Sequence, residues 1–356
     1  MFVFEPMDFV ETYMPETMWR WELSALGRAN LKLVEVPVPV PSPGELLVKV
    51  GAVALNFRDG DMIANGIGGA LPWPFTPASD MAGTVVTVGE GITRFQPGDR
   101  VISLFEPDWT EGAPPGNGRT PFYKPLGGFY PGVLSQFLVF PEHWFTAAPA
   151  SLDDVAASTL PCAGLTAWFA LVERGRLRAG ETVLVHGTGG VALFGAQIAK
   201  AHGAEVIVVS GSADKLARAK ALGIADHGID RSAGDWVEAT WRVTGDRGAD
   251  HILEIVGGAH LGRSLQAVAT GGRISMIGVL EGGQVSGPVG PLLLKNPTIQ
   301  GIAVGHRRAQ QDLVRAVDHL GLKPVIDAQY RLADFPAALD HLARGAFGKI
   351  VLDLSQ

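Results

Sequence analysis

Residues 181–201 read ETVLVHGTGGVALFGAQIAKA. The run opens on β-formers, breaks into a glycine turn at Gly187, Gly189 and Gly190, and resumes with apolar residues at helical spacing, Val191, Phe194 and Ile198. That order predicts strand, tight turn, helix. Gly187, Gly189 and Ala192 fit G-x-G-x-x-G/A: the first turns the chain sharply, the second admits a pyrophosphate, and the third lets helix and strand pack closely. Gly190 and Val191 then begin a helix whose free N–H groups face a phosphate. An ordinary strand-to-helix turn can carry the same glycines, so the flanking sequence decides.

Outward from the turn, a second β-run at 204–209 (AEVIVV) follows the helix and ends at Ser210, where a ribose-reading side chain is expected. A helix near 214–222, a strand at 251–256, a helix near 260–269 and a strand at 272–278 repeat the alternation. Strands alternating with helices imply a parallel, doubly wound α/β sheet that binds a nucleotide.

The chain of 356 residues is 47% hydrophobic and 18% charged, enough for two buried cores, and this excludes disorder and fibre. A net charge of −7 without a basic block argues against nucleic acid or an anionic membrane as partner. Apolar runs are cut short of a membrane span, and the acidic first residues lack a signal-peptide pattern, so a cytoplasmic protein is expected. With one cysteine, Cys162, no internal disulfide and no four-thiolate zinc site can be built. The apolar surround LPCAGLTAW makes that residue a small buried hydrophobe in preference to a reactive thiol.

Before the turn, WRWEL, LKLVEVPVPVP and ELLVKVGAVAL read as strands, with the prolines at 37, 39, 41 and 43 fitting an edge or linker. SDMAGTVVTVG and GDRVISLF continue a compact, partly closed β domain. Residues 1–16 have no period and read as an extension. Residues 106–132 form a long Gly/Pro loop whose aromatics Trp109, Phe122, Tyr123, Phe129 and Tyr130 either line an apolar pocket or anchor the loop. A helix is expected after Ser151, with Asp154 completing a capping box. Beyond 278 come a loop, a β-run TIQGIAVG, a helix near 308–320, and a final strand, helix and strand.

The ordered segments VPVPVPSPGELLVKVGAVALNFRDGDM, SDMAGTVVTVGEGITRFQPGDRV, LPCAGLTAW, VLVHGTGGVALFGAQIAKAHGAEVI, GGRISMIG and GKIVL resemble the medium-chain dehydrogenase/reductase superfamily of zinc alcohol dehydrogenases and quinone oxidoreductases. The resemblance implies a GroES-like catalytic domain (1–152 and 325–356) with a Rossmann domain (153–324) inserted, and hydride transfer to a small molecule from a nicotinamide in the cleft between them. Where zinc members carry cysteine and, two on, a hydroxyl residue, this chain has Asn56 and Arg58; in place of His-Glu it has Ser79 and Asp80. Cys162 alone remains, a poor zinc site. The lobe that holds a structural zinc is replaced by the loop after Phe105. The chain is closest to the quinone oxidoreductase-like branch, with no metal expected.

Asn56 can then donate to a carbonyl oxygen or the nicotinamide, and Arg58 can steady an enolate. Asp59 and Asp80 match supporting positions and are expected to hold Arg58 or backbone N–H groups rather than act as acids. No Tyr or His stands out as proton donor, which leaves water. NAD-specific members have an acid after the second strand; here Ser210, Ser212, Lys215 and Arg231 suit a 2′-phosphate, favouring NADP over NAD, although Lys215 and Arg231 also fit a solvated helix face and turn. Thr166 matches a position beside the nicotinamide, Ile277, Gly278 and Leu280 a run that holds its carboxamide, and Lys349 is a lesser candidate. Relatives commonly join edges like TIQGIAVG into one sheet, so a homodimer is expected, unless residues 1–16 cover that edge. An alcohol dehydrogenase of secondary alcohols and a nucleotide-binding protein without catalysis are the competing readings.

Overall fold

Burial follows the alternation of the sequence from the first strand on. In the structure, a computed structural model that describes residues 14–66 and 71–355, β1 (Thr17–Leu23) turns Met18, Trp21 and Leu23 inward and pairs antiparallel with β2 (Leu31–Pro37). The ribbon ends where alternating prolines remove N–H donors. Residues 1–13, most of the expected extension, lie outside the described residues.

The strand β3 (Glu45–Leu55) is apolar along most of its length because both its faces are covered, and it is the spine of a seven-stranded sheet. Its antiparallel partners are β4 (Asp80–Val88), β6 (Phe137–Pro141) and β15 (Lys349–Asp353). Beyond β4 lie β5 (Arg100–Ser103) and β7 (Phe145–Ala147), and beyond β15 lies β14 (Ile326–Arg331). The last strands of the chain therefore complete a sheet begun by its third strand. Two helices serve this sheet: α1 (Phe57–Asn65), which leaves β3 directly, and α10 (Phe335–Ala343).

A helical connection leads out of it: α2 (Asp154–Ala157), a wide π turn at Leu160–Gly164, α3 (Leu165–Trp168) and a second π turn at Phe169–Arg174. Its cap differs from the expectation at Ser151. The Asp153 carboxylate accepts the Ala156 N–H at 2.8 Å, whereas Ser151 gives its own N–H to Asp318. Aspartate is as good an N-cap acceptor as serine and its charge also suits the helix start.

The inserted part alternates as expected: β8 (Thr182–His186), α4 (Gly190–Ala201), β9 (Glu205–Ser210), α5 (Ala213–Ala221), β10 (His227–Asp230), α6 (Trp236–Val243), β11 (Ala249–Glu254), α7 (His260–Ala267), β12 (Val268–Met276), α8 (Val289–Lys295), β13 (Thr298–Gly301) and α9 (Arg307–Leu320). The strand order β10-β9-β8-β11-β12-β13, parallel throughout, is that of a doubly wound Rossmann sheet, whose ligand crevice lies where the order reverses beside β8. TIQGIAVG is strand only over its first half, since Val304 takes a positive φ of 61°. Ala82, Ile102, Phe105 and Trp109 of the β-rich part share one apolar cluster with Leu165, Phe169, Val183 and Leu313. The cleft is thus a seam over a common core.

Candidate active site

The glycine turn is built as its residues require. Gly187 has a φ of 77°, which β-carbon residues rarely adopt, and its N–H bonds the Val209 carbonyl at 2.6 Å, tying β8 to β9. Gly189 caps α4, whose first turn carries no acid. Such a helix start can receive an anion on its free N–H groups. Val191 lies half-buried in that first turn, packed on the shared core. The lead-in to β15 closes over the turn: Gly348 donates its N–H to the Thr188 carbonyl at 2.8 Å. Lys349 then runs so close past Gly190 that a β-carbon there would lie 2.7 Å from its side chain.

From that point Lys349, almost fully buried, reaches across the seam. Its ammonium donates to the Leu55 carbonyl and to Asn56 Oδ1, each at 2.6 Å. Two of its three donors are so committed. Asn56 Nδ2 lies 3.5 Å from Ser79 Oγ, Ser79 donates its hydroxyl to Asp80 Oδ1 at 2.6 Å, and Asp80 Oδ2 accepts the Cys162 N–H at 3.0 Å. Burial pushes the Asp80 carboxyl up, with the Lys349 charge opposing it. Sequence reasoning gave Lys349 a minor part; its partner Leu55 lies 294 residues away in the chain, and no local signal announces it.

Asn56 N-caps α1, its N–H donating to Asp59 Oδ2 at 2.8 Å. Asp59 is fully buried; burial raises its carboxyl to about 6 against the opposing charge of Arg58, whose Nη1 is 3.6 Å from Oδ1. Both aspartates thus sit as braces, one on a helix start and the other between β4 and the π turn. The Arg58 guanidinium lies 5.0 Å over the Phe105 ring and donates weakly to the Leu126 and Gly127 carbonyls at 3.3 and 3.4 Å. Its Nε has no partner.

The long loop answers both readings given for its aromatics. Trp109 is an anchor, wedged 5.5 Å from Phe169, and the Arg307 N–H of α9 donates to its carbonyl. Tyr130 is another anchor, bonded to Asp108 and packed on Trp144. Phe122 is half-buried against the shared core, and Phe129 is exposed beside Tyr130. Tyr123 instead faces the site. Its ring is 6.3 Å from that of Phe105; the residue is 39% exposed, and desolvation of the phenol pushes it up while the Arg58 charge pulls it down. Glu106, singled out by no motif, is buried beside them.

At the far end of the crevice, Ser210 Oγ accepts the Ser212 N–H, and Ser212 caps α5 through the Lys215 N–H. The Arg231 guanidinium would be 3.4 Å from a β-carbon at Gly211, and the Arg231 N–H bonds the Ser210 carbonyl. Lys215 turns away from this group to the Gly345 carbonyl at 2.8 Å. Thr166 is buried in α3; Ile277 and Gly278 follow β12 with their N–H groups on the Glu254 carbonyl, and Leu280 is exposed. Among the described residues, His186, Glu254 and His260 bring ligand-type atoms within 4.8 Å of one another. Their bonds are already made. Glu254 accepts from Val256 N, Gly257 N, His260 and Ser264. Burial opposes its charge, but those donors and His186 hold it down to about 2.

A dinucleotide fits the crevice: glycine turn, unopposed helix start and Arg231 lie along one sheet end. Zinc does not fit the position of Asn56, Ser79 and Cys162. The Asn56 amide oxygen accepts from the Lys349 ammonium and the Ser79 hydroxyl is spent on Asp80, which leaves the one thiol of Cys162 where zinc needs three good donors.

Residues 42–150 match the alcohol dehydrogenase GroES-like domain family and residues 190–321 the zinc-binding dehydrogenase family. The chain is 35% identical over 344 residues to a zinc-type alcohol dehydrogenase-like protein of Schizosaccharomyces pombe, spanning 94% of this chain and 97% of that one. It is 27% identical over 337 residues to the quinone oxidoreductase of Homo sapiens, spanning 92% and 94%. A crystal structure from Sinorhizobium meliloti 1021, described provisionally as an alcohol dehydrogenase, superposes with a TM-score of 0.94 at 62% identity, over 96% of this chain and 100% of that one. With a Rossmann sheet, a GroES-like part and matches over nearly its whole length, the chain belongs to the medium-chain dehydrogenase/reductase superfamily and is an oxidoreductase of alcohol dehydrogenase and quinone oxidoreductase-like kind.

Proposed function

We propose that this oxidoreductase is a zinc-independent reductase of an activated double bond or carbonyl, such as a quinone, enone or enal, and that it uses NADP(H) in the cytoplasm. The observation that carries this reading is the buried Lys349 ammonium on Asn56, a cation built into the chain where zinc members place a metal. Bound along the crevice, the reduced nicotinamide supplies a hydride. Asn56 and Lys349 hold the seam end of the pocket, and Arg58 offers positive charge to the oxygen that becomes negative. Purified protein is expected to carry far less than one zinc per chain by elemental analysis and to oxidise NADPH with enones or quinones in chelator. Stoichiometric zinc in the cleft, or activity lost with it, overturns the proposal.

The cofactor preference rests on Arg231 beside Gly211 and the two serine hydroxyls, with no acid at Ser210. Arg231→Ala is expected to weaken NADPH by about 1–3 kcal/mol, the scale of a lost charge-assisted bond, and to leave NADH nearly unchanged. Equal losses for both in a fluorescence titration place Arg231 in the fold instead. Lys215→Ala reads less cleanly because its ammonium also ties Gly345.

The same reading includes a homodimer through β13. This edge carries the exposed Ile299, and beside it α8 buries none of its residues, with Leu293 71% and Leu294 85% exposed. The Ile302 N–H points inward to the Met276 carbonyl, so by alternation those of Ile299 and Gly301 point outward. Light scattering at micromolar concentration is expected to give the mass of two chains, and Ile299→Pro the mass of one. A dimeric Ile299→Pro protein moves the joint elsewhere.

A further inference from the structure

Glu106 has no place in the braces described above. It leaves β5 on the peptide after Phe105, is 2% exposed, and one carboxyl oxygen is buried without a hydrogen-bond partner. A carboxyl group kept out of water and unpaired is costly, and such a group persists where it has work to do. Phe105, the residue before it, carries the Arg58 guanidinium 5.0 Å over its ring and has the Tyr123 ring 6.3 Å away. Arg58 on α1 is close enough for its charge to act on Glu106, Tyr123 on the long loop interacts with both, and Asp59 and Cys162 face the same Arg58.

We propose that Glu106 is the acid that completes the reaction by protonating the reduced substrate, the role that sequence analysis left to water. The inference rests on the reductive reading above. Hydride addition to one end of an activated double bond leaves the electron pair as an enolate or alkoxide. The Glu106 O–H bond then breaks and a C–H or O–H bond forms on the substrate, leaving a carboxylate beside the Arg58 guanidinium. Solvent returns the proton, so each turnover consumes one hydride and one proton. Burial raises the Glu106 carboxyl to about 8, with Arg58 opposing it, so the acid is in its donating form at neutral pH. Tyr123, 39% exposed, stands on the outer side of this group, its ring 6.3 Å from that of Phe105.

The test compares wild type with Glu106→Gln and Glu106→Asp across pH 6 to 9 (about the range of the raised carboxyl), by NADPH oxidation with an enone. Wild-type kcat is expected to fall above about pH 8, and Glu106→Gln to lose about 10²- to 10⁴-fold of kcat together with that limb, the usual span for a general acid. Glu106→Asp recovers part of the rate with a shifted limb. NADPH affinity by fluorescence stays unchanged, because Glu106 lies outside the glycine cradle. Glu106→Gln with wild-type kcat and an unaltered pH profile overturns the assignment. A wild-type protein that binds NADPH but reduces no enone or quinone refutes the reductive reading itself. A difference infrared spectrum of wild type against Glu106→Gln supplies a readout without turnover: a protonated carboxyl band at pH 7 supports the inference, and its absence overturns it.

Discussion

Lys349→Met is expected to cost about 1.5–3 kcal/mol of stability, the range for a hydrogen bond made by a charged group, and to lower kcat by at least ~10²-fold. Methionine keeps the stem that packs against Gly190 and deletes only the ammonium. What remains is the Leu55 carbonyl and Asn56 Oδ1 without their donor, and a fully buried Asp80 without the charge that opposes its desolvation. Asn56 is then free to turn, so chemistry suffers beyond the loss of charge. Denaturant melts and steady-state rates check both parts. A stable, active Lys349→Met enzyme removes this lysine from the working site and shows that Asn56 holds its place without it.

Acid is expected to unfold the protein early. Burial lowers both His186 and His251 to about 3 in the fold, below the ordinary 6.5 of an unfolded chain. For a histidine held neutral, the unfolded state binds the extra proton first, so stability is full above about pH 6.5 and is lost as pH falls toward the folded value. At pH 4.5 each group is about two units below its unfolded value, or close to 3 kcal/mol, so the pair removes roughly 5 kcal/mol. Against a typical 5–15 kcal/mol this is a large share. Glu254 adds to the loss below its unfolded value, since its folded carboxyl is at about 2. His251 is the cleaner probe: its ring meets Ser275 at 2.9 Å and its other nitrogen is buried without a partner. His251→Gln, neutral at every pH, is expected to cancel about half of the drop in pH-dependent melts. An unchanged acid limb shows that the loss comes from elsewhere.

The Rossmann sheet and the β-rich part were legible because their signals are local: alternation, glycine at a positive φ, and proline at strand ends. The β10 and α6 pair was not read, since His227–Asp230 offers Ile229 as its one large apolar residue and the sheet, not the sequence, makes it a strand. The candidate site divides the same way. Asn56, Arg58, Asp59 and Asp80 lie together around one seam, and the reading of the aspartates as supports agrees with their bonds. Glu106 went unrecognised as a site group, and Tyr123 was read only as one of five loop aromatics that either line a pocket or anchor the loop, because packing across the loop marks them, and no spacing does. Ser151 was read as a cap from a pattern that Asp153, two residues on, satisfies better.

The pairing of β3 with β15 also sets an order of events during synthesis. A ribosome delivers β3 early, but the strand that must lie against it comes last, after every strand of the Rossmann sheet. Residues 182–301 hold a whole parallel sheet of their own and can condense while the N-terminal strands still wait for a neighbour. Until β15 emerges, β3 exposes an open apolar flank, the kind of surface that chaperones bind. When β15 arrives, Gly348 latches the glycine turn and Lys349 seats on Asn56 in one stroke. Nucleotide retention and a working pocket should therefore appear together in a nascent chain, once residues 348–353 have emerged and not before.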